Sequence, residues 1–444
     1  MMHSKSKPRG ITRRDFLYTG SMAAAGLILG CATNPVTGTS QLMLVSEDTE
    51  ISMDRQHSPH QFSADYGVLQ DRKLNEYISR TGQGMASQTH RPKMPYSFQG
   101  VNAVYVNAYA FPGGSIGITR GILLKLQNEA ELAALIGHEL GHVNARHTAS
   151  IMSTQLMTMA VVGGVAAYVG IRSDSSNAGI LAAQLGLLTS GVLLAKYSRD
   201  NERQADELGM SYIVKNGYTP DGMVGLMSIL NGLSKNKGEI TQVLFATHPM
   251  SDERYQDAVK RAQSAYAADQ GKPNFRERYM DHTADLRKIE GAVKEMQTGE
   301  GLMAKQKYPE AQTSFSKALQ EAPEDYAGLL MMAKCQLAQK KNDEAKQYAD
   351  RAKEAYPKEA QAFHLSGYAN LRKKQYEAAL QDFTGYETRL PGNPNSAFFK
   401  GVSLEGMGKK DPAAQEFYRY LKQVQEGDQA QYAYRRLKQW GYLK

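Results

Sequence analysis

The chain has 444 residues, with 53 Lys and Arg against 45 Asp and Glu, a formal net charge of +8, and two cysteines, Cys31 and Cys335. Residues 1–30 hold five of the basic side chains and one acidic one, so the remainder carries about +4 and the basic balance is partly a property of the N-terminus. No block of like charge remains beyond it, which argues against nucleic acid as a partner.

Thr12-Arg13-Arg14-Asp15-Phe16-Leu17 resembles a twin-arginine export pattern, with Lys5, Lys7 and Arg9 ahead of it. The apolar stretch from Met22 to Leu29 is too short to span a bilayer. It ends at Ile28-Leu29-Gly30-Cys31, which resembles a lipobox cleaved before a cysteine that becomes lipidated. Residues 1–30 therefore read as a signal peptide and 31–46 as a linker held to a membrane by acyl groups on Cys31. An ordinary secretory signal with an incidental cysteine is the alternative. Ala32, not Asp, follows the cysteine; in Gram-negative lipoproteins that resemblance implies the outer membrane. With Cys31 lipidated, Cys335 has no partner and no intrachain disulfide is expected.

Val104-Tyr105-Val106 and the Ile116/Ile118 positions alternate as half-buried strands do. Between them Gly113-Gly114-Ser115-Ile116-Gly117 fits the G-x-S-x-G pattern of a serine nucleophile. That motif needs a helix directly after it, and Ile118-Thr119-Arg120-Gly121 is a poor helix start. A strand edge that pairs with an extended peptide is the better reading.

Next comes His138-Glu139-Leu140-Gly141-His142. The preceding run from Asn128 to Ile136 is free of Gly and Pro, and Leu132, Leu135 and Ile136 recur at helical spacing, so the motif is predicted on a buried helix. Residues four apart on a helix stand about 40° apart around its axis, so His138 and His142 can bind one ion. Glu139 beside them can take a proton from the water that a metal activates. Two buried histidines and a glutamate on one turn would be costly without a metal to satisfy them.

Residues 148–171 and 175–195 are apolar and free of charge, and Arg172-Ser173-Asp174 separates them. They are long enough for a transmembrane hairpin. Ser153, Thr154, Gln155, Gln184, Thr189 and Ser190 interrupt them, which favours helices packed over the catalytic core and touching at most the membrane surface.

Three protein ligands leave a fourth metal position open for water. A third histidine six residues after His142 would serve, but Thr148 stands there, and His147 is one place off. Glu202 is the better candidate. Glu202 and Asp206 are again four apart on a predicted helix, so one can ligate while the other holds a histidine ring or an intermediate from behind.

Asn107-Ala108-Tyr109-Ala110-Phe111-Pro112-Gly113-Gly114, the His138–His142 motif and Glu202-Arg203-Gln204-Ala205-Asp206 together resemble peptidase family M48 over roughly residues 33–265. That family holds single-zinc endopeptidases related to CAAX prenyl proteases and to periplasmic proteases of β-barrel assembly. The resemblance implies one Zn2+ per subunit on His138, His142 and Glu202, with Glu139 as catalytic base and Asp206 assisting catalysis, in some accounts as a proton donor. Family members commonly carry a His-Pro with a downstream Arg, here His248-Pro249 and Arg254. His248 reads equally as a group that approaches the zinc or the scissile carbonyl, for oxyanion stabilisation or for capping a resting metal, and as a loop histidine before a helix-starting proline.

Behind the protease region, 47–265, a charged connection at 266–291 is helix-prone on both sides of Gly271-Lys272-Pro273-Asn274. Pro323, Pro357 and Pro391 then recur every 34 residues. Gly299, Ala333, Gly367 and Gly401 keep that frame, as do Ala311, Ala345, Ala379 and Ala413, and Phe315, Phe383 and Phe417 hold a third position. Small residues let paired helices close up, the aromatic fills the gap, and Pro ends the second helix. This resembles four tetratricopeptide repeats over 292–427, with a capping helix at 428–444 that carries Trp440.

The expected fold is therefore an α+β, mostly helical metalloprotease domain with a small β-sheet, followed by an α-helical solenoid. The expected function is a periplasmic, lipid-anchored endopeptidase of protein quality control, acting on unfolded or misassembled envelope proteins, chiefly of the outer membrane. The repeats would bind those proteins or the outer-membrane assembly machinery. A chaperone or scaffold with little proteolysis is the alternative, and an integral-membrane prenyl protease is a third.

Overall fold

The computed structural model describes residues 31–162, 196–235 and 241–443. The signal segment 1–30 and the greater part of the apolar region, 163–195, lie outside the described residues. Among the described residues no helix is long and apolar enough to cross a membrane.

Strands β1 (Cys31–Thr33) and β2 (Ser40–Leu42) pair antiparallel. The segment expected as a linker is thus folded: Leu44 N donates to Ser153 Oγ at 2.9 Å, and Met43 and Val45 pack on Ala149. Helices α1 (Glu47–Ala64) and α2 (Arg72–Ala86) follow, then a three-stranded sheet of β3 (Ser97–Val101), β4 (Ala108–Ala110) and β5 (Ser115–Thr119). The order is β3-β5-β4; β3 runs parallel and β4 antiparallel to β5, leaving β4 at the edge.

Two local expectations fail. Val104-Tyr105-Val106 is not a strand, although Val104 and Val106 are fully buried. Its carbonyls are taken by side chains rather than by a ladder: Val104 O accepts from Gln297 Nε2 and Tyr105 O from Thr119 Oγ1, both at 2.6 Å. Alternating burial alone mimicked a strand there. A one-turn helix, α3 (Arg120–Leu123), does follow β5, because Thr119 caps it and Gly121 lets it press against the Val104 and Tyr105 carbonyls. Ser115 stays in β5, its hydroxyl 3.1 Å from Ser97 Oγ, where it meets no base.

The remaining protease helices are α4 (Glu129–Asn144), α5 (His147–Val162), α6 (Arg199–Lys215), α7 (Asp221–Lys235), α8 (Gln242–Thr247) and α9 (Asp252–Gln263). The connection contains α10 (Arg276–His282) and α11 (Ala284–Lys288) and packs on the protease. Arg278 clamps Glu129 at the start of α4 with both arms, His282 stacks on Tyr77, and Tyr279 OH donates to Leu123 O at 2.6 Å.

Four antiparallel helix pairs follow: α12 (Glu290–Ala304) with α13 (Tyr308–Glu321), α14 (Tyr326–Ala338) with α15 (Asn342–Ala355), α16 (Gln361–Arg372) with α17 (Tyr376–Arg389), and α18 (Pro394–Gly406) with α19 (Lys410–Leu421). Phe315, Phe383 and Phe417 lie fully buried against Gly299, Gly367 and Gly401, where a side chain would collide with each ring. Each pair turns at a left-handed residue in the same register: Gln306, Lys340, Lys374 and Gly408. The last helix, α20 (Asp428–Gln439), closes the stack, and Trp440 lies over Phe417.

The repeats are not a separate body behind the protease. One apolar core runs from Tyr66 and the sheet through α12–α15 to Ala369, and a second fills the last two pairs. Arg120 of α3 forms a two-pronged ion pair with Asp325 at 2.5 and 3.0 Å, both side chains less than a tenth exposed. Tyr66 OH donates to Glu300 at 3.0 Å, and the Lys334 ammonium lies over the Tyr66 ring.

Candidate metal centre

The first pair of donors rides on α4, which is fixed at both ends. Asn128 accepts from Glu131 N at 2.9 Å while Glu131 accepts from Gln127 N at 2.6 Å, and buried Glu129 meets Tyr77, Tyr218 and Arg278. At the other end Arg91 donates to Val143 O at 2.9 Å. Helix α6 begins with a Ser198/Asn201 capping box, which places the Glu202 carboxylate in its first turn, where the helix dipole favours an acid. The two helices cross at Gly137 and Gly141 against Gly209 and Ala205. That close approach brings Glu202 and Asp206 to the two histidines.

His138, His142, Glu202 and His248 are all buried and each aims one donor at a common centre. His138 Nε2 lies 3.1 Å from His142 Nε2 and 3.4 Å from His248 Nδ1. Glu202 Oε1 lies 3.4 Å from His142 Nε2 and 3.1 Å from His248 Nδ1. A first-row ion with bonds of about 2.0–2.2 Å to N and O holds four tetrahedral donors about 3.3–3.6 Å apart. These four separations lie near that range and all the donors lie within 4.8 Å of one another, so the residues fit a single divalent ion, and no thiolate is among them.

The electrostatics agree. Burial pushes the His142 imidazolium well below its usual range, so the ring is neutral, as a ligand must be. Burial works against a charged Glu202, but His248 and His142 outweigh it and hold the carboxyl well below the usual carboxylate range. His248 goes the other way: burial opposes its charge, yet Glu202 and Glu139 raise its pKa. In Glu139 burial raises the carboxyl, with His248 and His138 pulling it back. Its Oε2 has no hydrogen-bond partner and its Oε1 lies 3.9 Å from His248 Nε2, so a basic oxygen is left free beside the donors.

His248 thus lies among the donors rather than in a remote loop. It ends α8, with its amide on Leu244 O at 2.7 Å, and Tyr197 N holds the adjacent Thr247 O at 3.2 Å. Asp206 stands behind a histidine ring, one of the two places the sequence allowed it, and Arg254 stands against it. Asp206 takes Arg254 Nε and Nη2 at 2.7 Å each and lies 2.9 Å from His138 Nδ1, so it holds the ring from behind. Arg254, a possible oxyanion or regulatory group with His248, has its guanidinium on two carboxylates of the site. Its guanidinium joins Asp206, Glu202 Oε2 at 2.7 Å and Pro249 O at 2.9 Å, tying both carboxylates to the loop that carries His248.

Two residues escaped the sequence argument. Tyr197 stacks on His142, with ring centroids 3.8 Å apart, and its hydroxyl lies 3.0 Å from Thr148 Oγ1. His147 reaches His142 from the far side, because Arg146 adopts a left-handed conformation (φ 58°) that turns the chain back as α5 begins. Its spacing, wrong for a ligand, was the available signal. Cys31 is the first described residue and starts β1. Ala110, Phe111 and Pro112, at the end of edge strand β4, lie close to His142.

The sequence profile of peptidase family M48 matches residues 72–262, and that of the tetratricopeptide repeat matches 302–367. The chain is 29% identical over 255 residues to the beta-barrel assembly-enhancing protease of Yersinia pestis, covering 56% of this chain and 52% of that one. It is 27% identical over 231 residues to the protein of that name from Escherichia coli strain K12, covering 52% and 47%. Metalloprotease YcaL of the same bacterium is 35% identical over 159 residues, covering 36% and 59%. The chain thus spans about half the length of the beta-barrel assembly-enhancing proteases it matches. The donors at 138, 142 and 202 fall within the first matched stretch and helices α13–α15 within the second: the chain carries a peptidase family M48 domain, which implies a catalytic metal, followed by tetratricopeptide repeats.

Proposed function

We propose that the protein is a zinc-dependent endopeptidase of the bacterial cell envelope, cleaving misfolded or misassembled proteins, chiefly of the outer membrane. The observation that carries this is the buried cluster of three imidazole nitrogens and a carboxylate oxygen, with the unpartnered Glu139 oxygen beside it. Such a donor set suits zinc. His138, His142 and Glu202 would hold the ion, which when bound supplies Lewis-acid polarisation and a more acidic water. Glu139 accepts the proton of the attacking water and delivers it to the leaving amine. Asp206 and Arg254 keep His138 and Glu202 in place, and the β4 edge offers backbone groups to an extended substrate.

His248 completes the donor set and takes the position that water and substrate need. We read it as the cap of a resting site, which opens when the α8–α9 loop moves. The same closure favours a second reading, in which the repeats hold outer-membrane proteins as a chaperone while the protease rests. The relatives' name supports β-barrel proteins as clients, and the lipobox resemblance supports an acyl anchor on Cys31 facing the periplasm.

Cleavage of an unfolded outer-membrane protein by the full chain, its loss with a chelator and its return with zinc would support the protease. Zinc-loaded protein that cleaves nothing, or cleavage that persists after chelation, would overturn it. Rescue of envelope defects by Glu139→Gln would favour the chaperone reading.

A further inference from the structure

His138 and His142 are held in different ways. Asp206, a carboxylate, lies behind the His138 ring, whereas His142 backs onto a neutral chain: its Nδ1 lies 2.9 Å from His147 Nδ1, and His147 Nε2 lies 2.9 Å from Gln204 Oε1. A neutral imidazole carries one hydrogen, and only the Nδ1–H form of His142 leaves a lone pair on Nε2 for an ion. The amide oxygen of Gln204 can only accept. It therefore fixes the His147 hydrogen on Nε2 and makes His147 Nδ1 an acceptor. That acceptor in turn draws the His142 hydrogen onto Nδ1. The opposite arrangement would put hydrogen on His142 Nε2, aimed at His138 Nε2 3.1 Å away, in the space the ion requires.

We infer that His147 and Gln204 form a hydrogen-bond relay that sets the tautomer of His142 and presents its Nε2 to the metal. This rests on the metal-site reading above. His147 is a positioning residue: it is buried, points away from the donors and touches them only through His142. A neutral relay also has a charge rationale, since Glu139, Glu202 and Asp206 already place three buried acids around the centre.

The test is zinc affinity, measured on the full chain by competition with a chromophoric chelator. His147→Ala should weaken zinc binding by about 10–100-fold, the usual effect of losing a group that orients a ligand. His147→Gln, whose amide oxygen can accept from His142 Nδ1, should recover most of it. Gln204→Leu, at a partly exposed position, should weaken binding with an unchanged melting temperature of the metal-free protein. A parent chain that binds no zinc overturns the metal-site reading itself. A parent that binds zinc, with His147→Ala and Gln204→Leu within about twofold of it, overturns the relay alone. So does equal loss in both His147 variants with Gln204→Leu at parental affinity, the pattern of a merely structural role. Should His147→Ala fail to fold, imidazole 15N shifts of the metal-free parent decide. Hydrogen on His142 Nδ1 and His147 Nε2 supports the relay, and the reverse overturns it.

Discussion

Gly141 and Ala205 meet where the two donor helices cross: a Cβ on Gly141 would stand 2.9 Å from Ala205 Cα and 3.0 Å from its carbonyl oxygen. Backbone cannot swing aside as a side chain can, so a methyl there must part the helices. Gly141→Ala should cost about 1–3 kcal/mol through overpacking and weaken metal binding by moving Glu202 away from His142. A melting curve and a zinc titration would check both; a variant as stable and as tight as the parent would refute the crossing argument.

Glu139 is the group whose removal should separate binding from chemistry. Glu139→Gln keeps the shape and leaves all four donors in place, so zinc content by mass spectrometry should match the parent. Cleavage should fall by about 10²–10⁴-fold, the scale of a lost general base. Proteolysis near the parental rate would remove Glu139 from the mechanism.

His248 makes the opposite prediction. With three donors left and the fourth position open, His248→Ala should retain zinc at reduced affinity and cleave an unfolded substrate several-fold faster than the parent. A fall in activity together with retained zinc would mean that His248 assists the reaction instead of capping the site.

The Arg120–Asp325 pair joins protease and repeats in a setting from which water is nearly excluded. Removing one partner leaves a buried charge unmatched, at about 3–5 kcal/mol, whereas replacing both by apolar residues is often neutral. Arg120→Met alone should therefore lower the urea midpoint strongly, and Arg120→Met with Asp325→Leu should recover part of the loss, short of the cap that Asp325 provides to Gly328 N at 2.9 Å. Because one core spans both parts, protease and first repeats should melt in a single transition. Independent melting of the repeats would contradict it.

What the sequence by itself determined is what rests on local periodicity. His138 and His142 share a face because the helix repeats every 3.6 residues, and Glu202 and Asp206 do so for the same reason. The solenoid was legible in prolines, small residues and phenylalanines kept 34 apart, because each repeat solves the same packing problem. Alternation was a weaker guide, as Val104-Tyr105-Val106 shows, since a buried loop alternates as well as a strand. The tertiary structure decided everything that depends on distant segments meeting. His248 joins donors 46 and 110 residues away, Arg254 faces the carboxylates behind the centre, and the repeats share their core with the protease. No local spacing encodes such contacts. They depend on packing alone, as do the close crossing that Gly141 allows at Ala205 and the left-handed turn at Arg146 that brings His147 to His142.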